Sequence, residues 1–169
     1  ILSIEYHRYP STGFIIEPIY VAIFYLEKIM KFTENQILIN DQNISVLTNT
    51  GTNEADILNQ AEKIKKLQPE MMEWRIDYFE DVILMNRLIE VANKLKDMMK
   101  EIPILITFRS QKFGGKTELD SEDAYLNLLK ITIDFGLGNA IDIEQDHVSD
   151  RVNALIQDAK NKGLGVVLS

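Results

Sequence analysis

The chain has 169 residues, 46% of them hydrophobic, and a formal net charge of −8 at neutral pH, enough for one domain or part of a larger one. The acidic balance argues against broad binding to nucleic acid or to an anionic membrane. It has no cysteine, which excludes disulfides and thiolate metal sites, and its two histidines, His7 and His147, show no metal-ligand spacing.

Residues 1–29 read as an extension. The stretch from Phe14 to Leu26 is mostly apolar but is interrupted by Glu17 and Pro18. It is shorter than the about 20 residues of a membrane span and has no small-residue cleavage site. The chain begins at Ile1, and Met30 is an alternative start. Residues 30–43 read as an N-terminal hairpin or lead-in. From 44 to 169 the chain acquires a rhythm. Short β-prone runs begin near Ile44, Met71, Pro103, Asn139 and Leu164, and helical patterns fill the gaps.

The first helical pattern, Glu54 to Leu67, puts Ile57, Leu58, Ala61 and Ile64 on one face. The second, Glu80 to Lys100, repeats apolar residues at Val82, Leu84, Leu88, Val91, Leu95 and Met99. The third, Ser121 to Phe135, is opened by Asp120 or Ser121 with Glu122 and Asp123 in its first turn, and is closed by Gly136. Its apolar set is Tyr125, Leu128, Leu129 and Ile133. The fourth, Val148 to Lys162, carries Val152, Leu155, Ile156 and Ala159 and ends at Gly163. Strand–helix repeats of this kind mean parallel βαβ units. Two architectures fit, an open doubly wound sheet or part of a (β/α)8 barrel.

Three of the strands are apolar behind and charged in front. In Met71 to Asp77, Met72, Trp74 and Ile76 oppose Glu73, Arg75 and Asp77. In Ile104 to Arg109, Ile106 and Phe108 oppose Thr107 and Arg109. In Ala140 to Glu144, Ile141 and Ile143 oppose Asp142 and Glu144. No glycine-rich phosphate loop follows the first strand, and Gly114-Gly115 reads as a turn. Charged fronts favour the barrel, where such groups gather at the C-terminal strand ends and Glu73, Arg75, Arg109 and Glu144 would converge. A plainer alternative is a structural ion pair between Glu73 and Arg75.

The ordered set Glu73-Trp74-Arg75-Ile76-Asp77, then Thr107-Phe108-Arg109-Ser110 with Lys112 and Gly114-Gly115, then Ile141-Asp142-Ile143-Glu144, resembles type I 3-dehydroquinate dehydratase. The resemblance runs from about Ile44 to Ser169. It implies an α/β fold, a (β/α)8 TIM barrel represented here by five strands and four helices. It also implies a Schiff-base dehydration of 3-dehydroquinate to 3-dehydroshikimate in the shikimate pathway, without metal or other cofactor. A lysine forms the imine and a histidine moves protons. Glu73, Arg75 and Arg109 would bind the substrate, with Arg109 the best partner for its carboxylate through a planar guanidinium fork. Thr48 is a weaker transfer to the same role. Asp142 and Glu144 would support them.

Two departures from the family pattern stand out. The family's histidine and lysine follow its fifth and sixth strands, so both are expected beyond Ser169 and no catalytic residue is assigned within these residues. His147 does not replace that histidine. Lys112 and Lys116 read as solvated loop residues, and the acidic run Glu118 to Asp123 as a loop and helix start. Phe113 stands where many relatives carry an acidic residue that helps the histidine. The resemblance further implies a cytoplasmic full-length homodimer that binds a small molecule, with no nucleic-acid or membrane partner. Residues 1–169 alone are expected to be inactive, with the first and fifth strands as unpaired edges. The alternatives are a non-catalytic truncated or split-barrel protein binding a small carboxylate, and another Schiff-base barrel lyase such as an aldolase.

Overall fold

The computed structural model describes residues 45–144 and 149–169 in full, and backbone strands at residues 20–22, 30–33, 36–39 and 42–44. The readings made on His7 and His147, and on most of residues 1–29, fall outside the described residues.

Three short strands come first: β1 (Tyr20–Ala22), β2 (Met30–Thr33) and β3 (Gln36–Ile39). The repeating part follows as β4 (Gln42–Asn49), α1 (Glu54–Leu67), β5 (Met71–Arg75), α2 (Met85–Met99), β6 (Ile104–Thr107), α3 (Glu122–Asp134), β7 (Ala140–Ile143), α4 (Asp150–Asn161) and β8 (Gly165–Leu168). Strands β4 to β8 pair in parallel in sequence order. That is five strands and four helices of an α/β barrel-type fold, with β2 and β3 forming an antiparallel hairpin that continues onto β4.

The helices start where the chain offers caps. The Asn53 side chain accepts from Asp56 N at 3.0 Å, Ser121 from Ala124 N at 3.2 Å and Ser149 from Val152 N at 3.4 Å. Each satisfies an orphan N–H of a first turn. Helix α2 has no side-chain cap and begins five residues later than its periodicity suggests. Residues 79–84 form turns instead, with Val82 N on Phe79 O at 3.1 Å and Leu84 N on Asp81 O at 2.9 Å. Val82 reaches the core from that turn, whereas Leu84 is half exposed, so Leu84 alone of the apolar set is turned away from the core.

One core lies between the helices and the back of the sheet. Met72, Trp74 and Ile76 join Ile104, Ile106, Phe108, Ile141, Ile143 and Val166 against Leu88, Leu95, Leu129, Val152 and others. Trp74 meets Phe79 with ring centroids 6.2 Å apart. Each large side chain buried this way contributes about 1.5–3 kcal/mol. The opposite face carries Glu73, Thr107 and Asp142, all buried.

The edges correct one expectation. The fifth parallel strand, β8, is not open: β1 pairs with it antiparallel, Tyr20 opposite Leu168, Val21 opposite Val167 and Ala22 opposite Val166. The first parallel strand is paired by β3 over its N-terminal half, Gln42 to Ser45. Its remaining residues, Val46 to Asn49, pair only with β5 among the described residues.

Candidate active site

Register brings the charged fronts into rows. Thr48 lies opposite Glu73. One step toward the C-terminal ends, Arg75 lies opposite Thr107, Thr107 opposite Asp142, and Asp142 opposite Val167. Arg109, Glu144 and Ser169 each follow two residues later, just past the ends of β6, β7 and β8. Alternation thus aims the polar residues of four strands at one end of the sheet.

The partners differ from the simplest expectation. Glu73 does not pair with Arg75; it accepts from Thr48 Oγ1 at 2.9 Å. Arg75 instead makes a bidentate pair with Asp77, Nε to Oδ1 at 2.7 Å and Nη2 to Oδ2 at 2.8 Å. Asp77 is not a strand residue, because β5 ends at Arg75 and Ile76–Tyr78 forms a 3-10 turn. That turn brings the carboxylate back onto the arginine two residues before it. The guanidinium also lies 5.0 Å from the centroid of the Tyr78 ring.

Arg109 is held from three sides. Nη2 meets Asp142 Oδ2 at 2.8 Å, Nη1 donates to Ser169 Oγ at 2.7 Å, and Nη1 lies 3.6 Å from Glu144 Oε1. Ser169 Oγ in turn donates to Asp142 Oδ1 at 2.7 Å. Glu144 Oε1 also accepts from Ser110 N at 2.9 Å, and its own backbone N–H donates to the Tyr125 hydroxyl at 3.1 Å. Asp142 and Glu144 therefore support Arg109, while Thr48 supports Glu73.

The charges act on one another. Burial pushes the Glu73 carboxyl up, and so does Asp142, against the Thr107 and Thr48 hydroxyls and the Arg75 charge, which pull it down. Burial works against the Arg75 charge, but the Asp77 carboxylate more than offsets it and the pKa lies above the usual value. Asp142 foremost, then Glu144 and Glu73, raise Arg109 against its burial. Burial likewise pushes the Tyr125 hydroxyl well up. Carboxylates outnumber guanidiniums here, so the cluster offers an anion directed N–H donors rather than net positive charge. Arg75 Nη1 and Arg109 Nε make no hydrogen bond to any described residue.

The loop after β6 is built around its glycines. Gly114, at φ +86°, closes the 3-10 turn Gln111–Phe113. A Cβ on Gly115 would collide with the Arg109 carbonyl oxygen, so only glycine fits against that backbone. Phe113 is 47% exposed, with Lys112 Nζ 5.1 Å from its ring centroid, and Lys116 is also exposed. A groove of about 480 Å³ lies beside the cluster rather than at it, lined by Ser110, Lys112, Phe113, Glu118 and Tyr125 among others. Among the described residues, no group of three or more His, Asp or Glu is placed to hold a metal ion. Nor is any helix long and apolar enough to cross a membrane.

Sequence reasoning gave no role to Ser169 and gave Arg75 only Glu73 as an alternative partner, where the structure pairs it with Asp77. Ser169 was open to discovery by continuing the alternation of β8 two residues past Val167, as for Arg109 and Glu144. Asp77 was visible as an Arg-x-Asp pair at a strand end, but the turn that folds it back was not.

Parallel strands with helical crossovers and a buried acid–arginine cluster at the C-terminal strand ends define an α/β barrel-type protein with its polar site at the usual end. Residues 46–169 match the family described as type I 3-dehydroquinase, and the chain belongs to that family. It is 37% identical over 119 residues to the 3-dehydroquinate dehydratase of Bacillus subtilis (strain 168), covering 70% of this chain and 46% of that protein. Against the enzyme of Klebsiella pneumoniae subsp. pneumoniae it is 35% identical over 114 residues, 68% of this chain and 45% of that protein. The chain thus spans about half the length of the curated relatives it matches. The solved type I 3-dehydroquinate dehydratase of Clostridium difficile, with covalently modified comenic acid, superposes with a TM-score of 0.68 at 28% identity, over 79% of this chain and 55% of that one. The enzyme of Enterococcus faecalis gives a TM-score of 0.67 at 29% identity, over 70% of this chain and 49% of that one.

Proposed function

We propose that the full-length protein dehydrates 3-dehydroquinate to 3-dehydroshikimate through a Schiff base, as a cytoplasmic step of the shikimate pathway. The observation that carries this is the cluster of Glu73, Arg75 and Arg109 at the C-terminal strand ends, in a chain of the type I 3-dehydroquinase family. In this reading Arg109 and Arg75 direct N–H groups at the substrate carboxylate, and Glu73 with Thr48 takes its hydroxyls. Burial pushes the Glu73 carboxyl up, and its oxygens already take a hydroxyl, that of Thr48, which suits a hydroxyl ligand. The solved Clostridium difficile relative is described with covalently modified comenic acid, which is in keeping with covalent chemistry at such a site.

The lysine and histidine of the reaction are assigned to residues after Ser169, so residues 1–169 alone are inactive. The full-length protein is a homodimer in this reading, which sedimentation tests. The decisive experiment treats full-length protein with 3-dehydroquinate and borohydride. Turnover in untreated protein, and a substrate-sized mass fixed on a lysine after reduction, are expected. Absence of both rejects the proposal, and turnover by residues 1–169 rejects the assignment of the lysine.

A further inference from the structure

The end of β4 carries a polar side chain that no role has yet absorbed. Asn49 lies opposite Trp74, and both are fully buried toward the helices. One step further the register sets Thr50 opposite Arg75, in the row that continues through Thr107, Asp142 and Val167. Alternation turns Thr50 to the front of the sheet. It follows Thr48 by two residues, as Arg109 follows Thr107 and Glu144 follows Asp142.

The main chain at Thr50 is held from helix α1. Thr50 N donates to Gln60 Oε1 at 3.0 Å. Gln60 Nε2 in turn donates to both Asp56 carboxylate oxygens, each at 3.2 Å, which fixes the end of the amide that faces Thr50. On either side of Thr50, Asn49 Nδ2 donates to Ile57 O at 2.8 Å and Asn49 Oδ1 accepts from Gly51 N at 3.0 Å. Gly51 packs so closely on the helix that a Cβ there would lie 2.5 Å from Ile57 N. From the neighbouring loop, Glu80 N donates to Thr52 O at 2.9 Å.

The side chains of this loop divide sharply. Those of Thr48, Asn49 and Asn53 are all bonded within the protein. Thr52 is exposed to solvent. Thr50 is partly buried, and its hydroxyl makes no hydrogen bond to any described residue. The Gln60 clamp acts on the main chain and would serve any side chain at this position. What Thr50 adds is a hydroxyl that can donate and accept, carried on a backbone already fixed, so a ligand has little ordering cost to meet there.

We propose that Thr50 is a further substrate-binding residue, its hydroxyl bonding a ring hydroxyl of the substrate one layer above Thr48 and Glu73. The inference rests on the function proposed above and adds a contact from the β4 loop, independent of how the substrate carboxylate is held.

The test compares Thr50→Val with Thr50→Ser in the full-length protein. Valine keeps the branched shape and removes the hydroxyl; serine keeps the hydroxyl and removes the methyl. Kinetics are read at a temperature where circular dichroism shows parent and variants fully folded. Thr50→Val is expected to raise the KM for 3-dehydroquinate about three- to tenfold, the range of one neutral hydrogen bond. Thr50→Ser is expected to recover most of that loss. A threonine kept for its shape gives the reverse order, with serine impaired and valine not. A KM for Thr50→Val within twofold of the parent overturns the inference and leaves the proposed function intact, as does a loss in Thr50→Ser equal to that in Thr50→Val. A parent with no turnover overturns both. If Thr50→Val does not fold, Thr50→Ala takes its place, with the same expected rise and the same overturning result.

Discussion

At the scale of single residues, the site is a set of carboxylates competing for two guanidiniums. Glu73 loses that competition and turns to a hydroxyl, Thr48, and its ionisation shows the result. Its folded-state pKa lies above the ordinary 4.5, so the folded protein holds this proton more tightly than the unfolded chain does. The stabilisation is therefore complete below the unfolded value and is lost as pH rises through the folded one. Glu73→Gln mimics the protonated form. Its melting temperature should exceed the parent's most above that window, and the gap should close on acidification toward the ordinary carboxylate range. A gap independent of pH would show that Glu73 is not destabilised by its charge. Arg109→Lys tests a different property. Lysine keeps the charge but cannot span Asp142 and Ser169 together, and about 1.5–3 kcal/mol of charge-assisted bonding is at stake. In the full-length protein KM should rise at least tenfold, and steady-state kinetics within twofold of the parent would contradict the assigned role. Alternation placed Glu73, Arg75, Arg109, Asp142 and Glu144 on one face from sequence alone. It did not choose partners, because Arg75 has Glu73 two residues before it and Asp77 two residues after. The turn at Ile76–Tyr78 decides between them.

At the scale of elements, helix α1 was legible to the residue from its apolar period over Glu54–Leu67. The structure adds the reason for both ends: Asn53 caps the first turn, and Gln68 leaves the helix in the left-handed region at φ +49°. Helix α2 was misread at its start because Val82 and Leu84 fit the apolar period without being helical. Periodicity reports which side chains need burial, not which N–H groups find an acceptor four residues back. The caps also set a measurable stability. Asn53→Ala and Ser121→Ala should each cost about 1 kcal/mol, which for a chain of this size lowers the midpoint by about 2–4 °C in thermal melts. Their combination should be nearly additive, since the two caps share no hydrogen-bond partner. A double variant that melts with either single one would show that the first turns are not held by these side chains.

At the scale of the whole molecule, the five-strand parallel order was readable from the repeat, while the state of its edges was not. Nothing in Tyr20–Ala22 names β8 as its partner, since pairing between distant strands is fixed by what else is left unpaired. Removing residues 1–29 from the 169-residue chain should free the β8 edge and produce association that grows with protein concentration. Sedimentation showing a monomer at every concentration would contradict this. The same pairing bears on how a complete barrel would be assembled. A strand has one hydrogen-bonding edge on each side, and β1 holds in the antiparallel sense the edge that a sixth parallel strand would need. The two are rivals for the same N–H and C=O groups of Val166 to Leu168. During synthesis β1 and β8 both emerge before anything that follows them, and chains fold in that order. A complete barrel would then close by strand exchange, the late parallel strand displacing the early antiparallel one. The N-terminal segment would serve as a temporary occupant that protects the edge until its successor arrives.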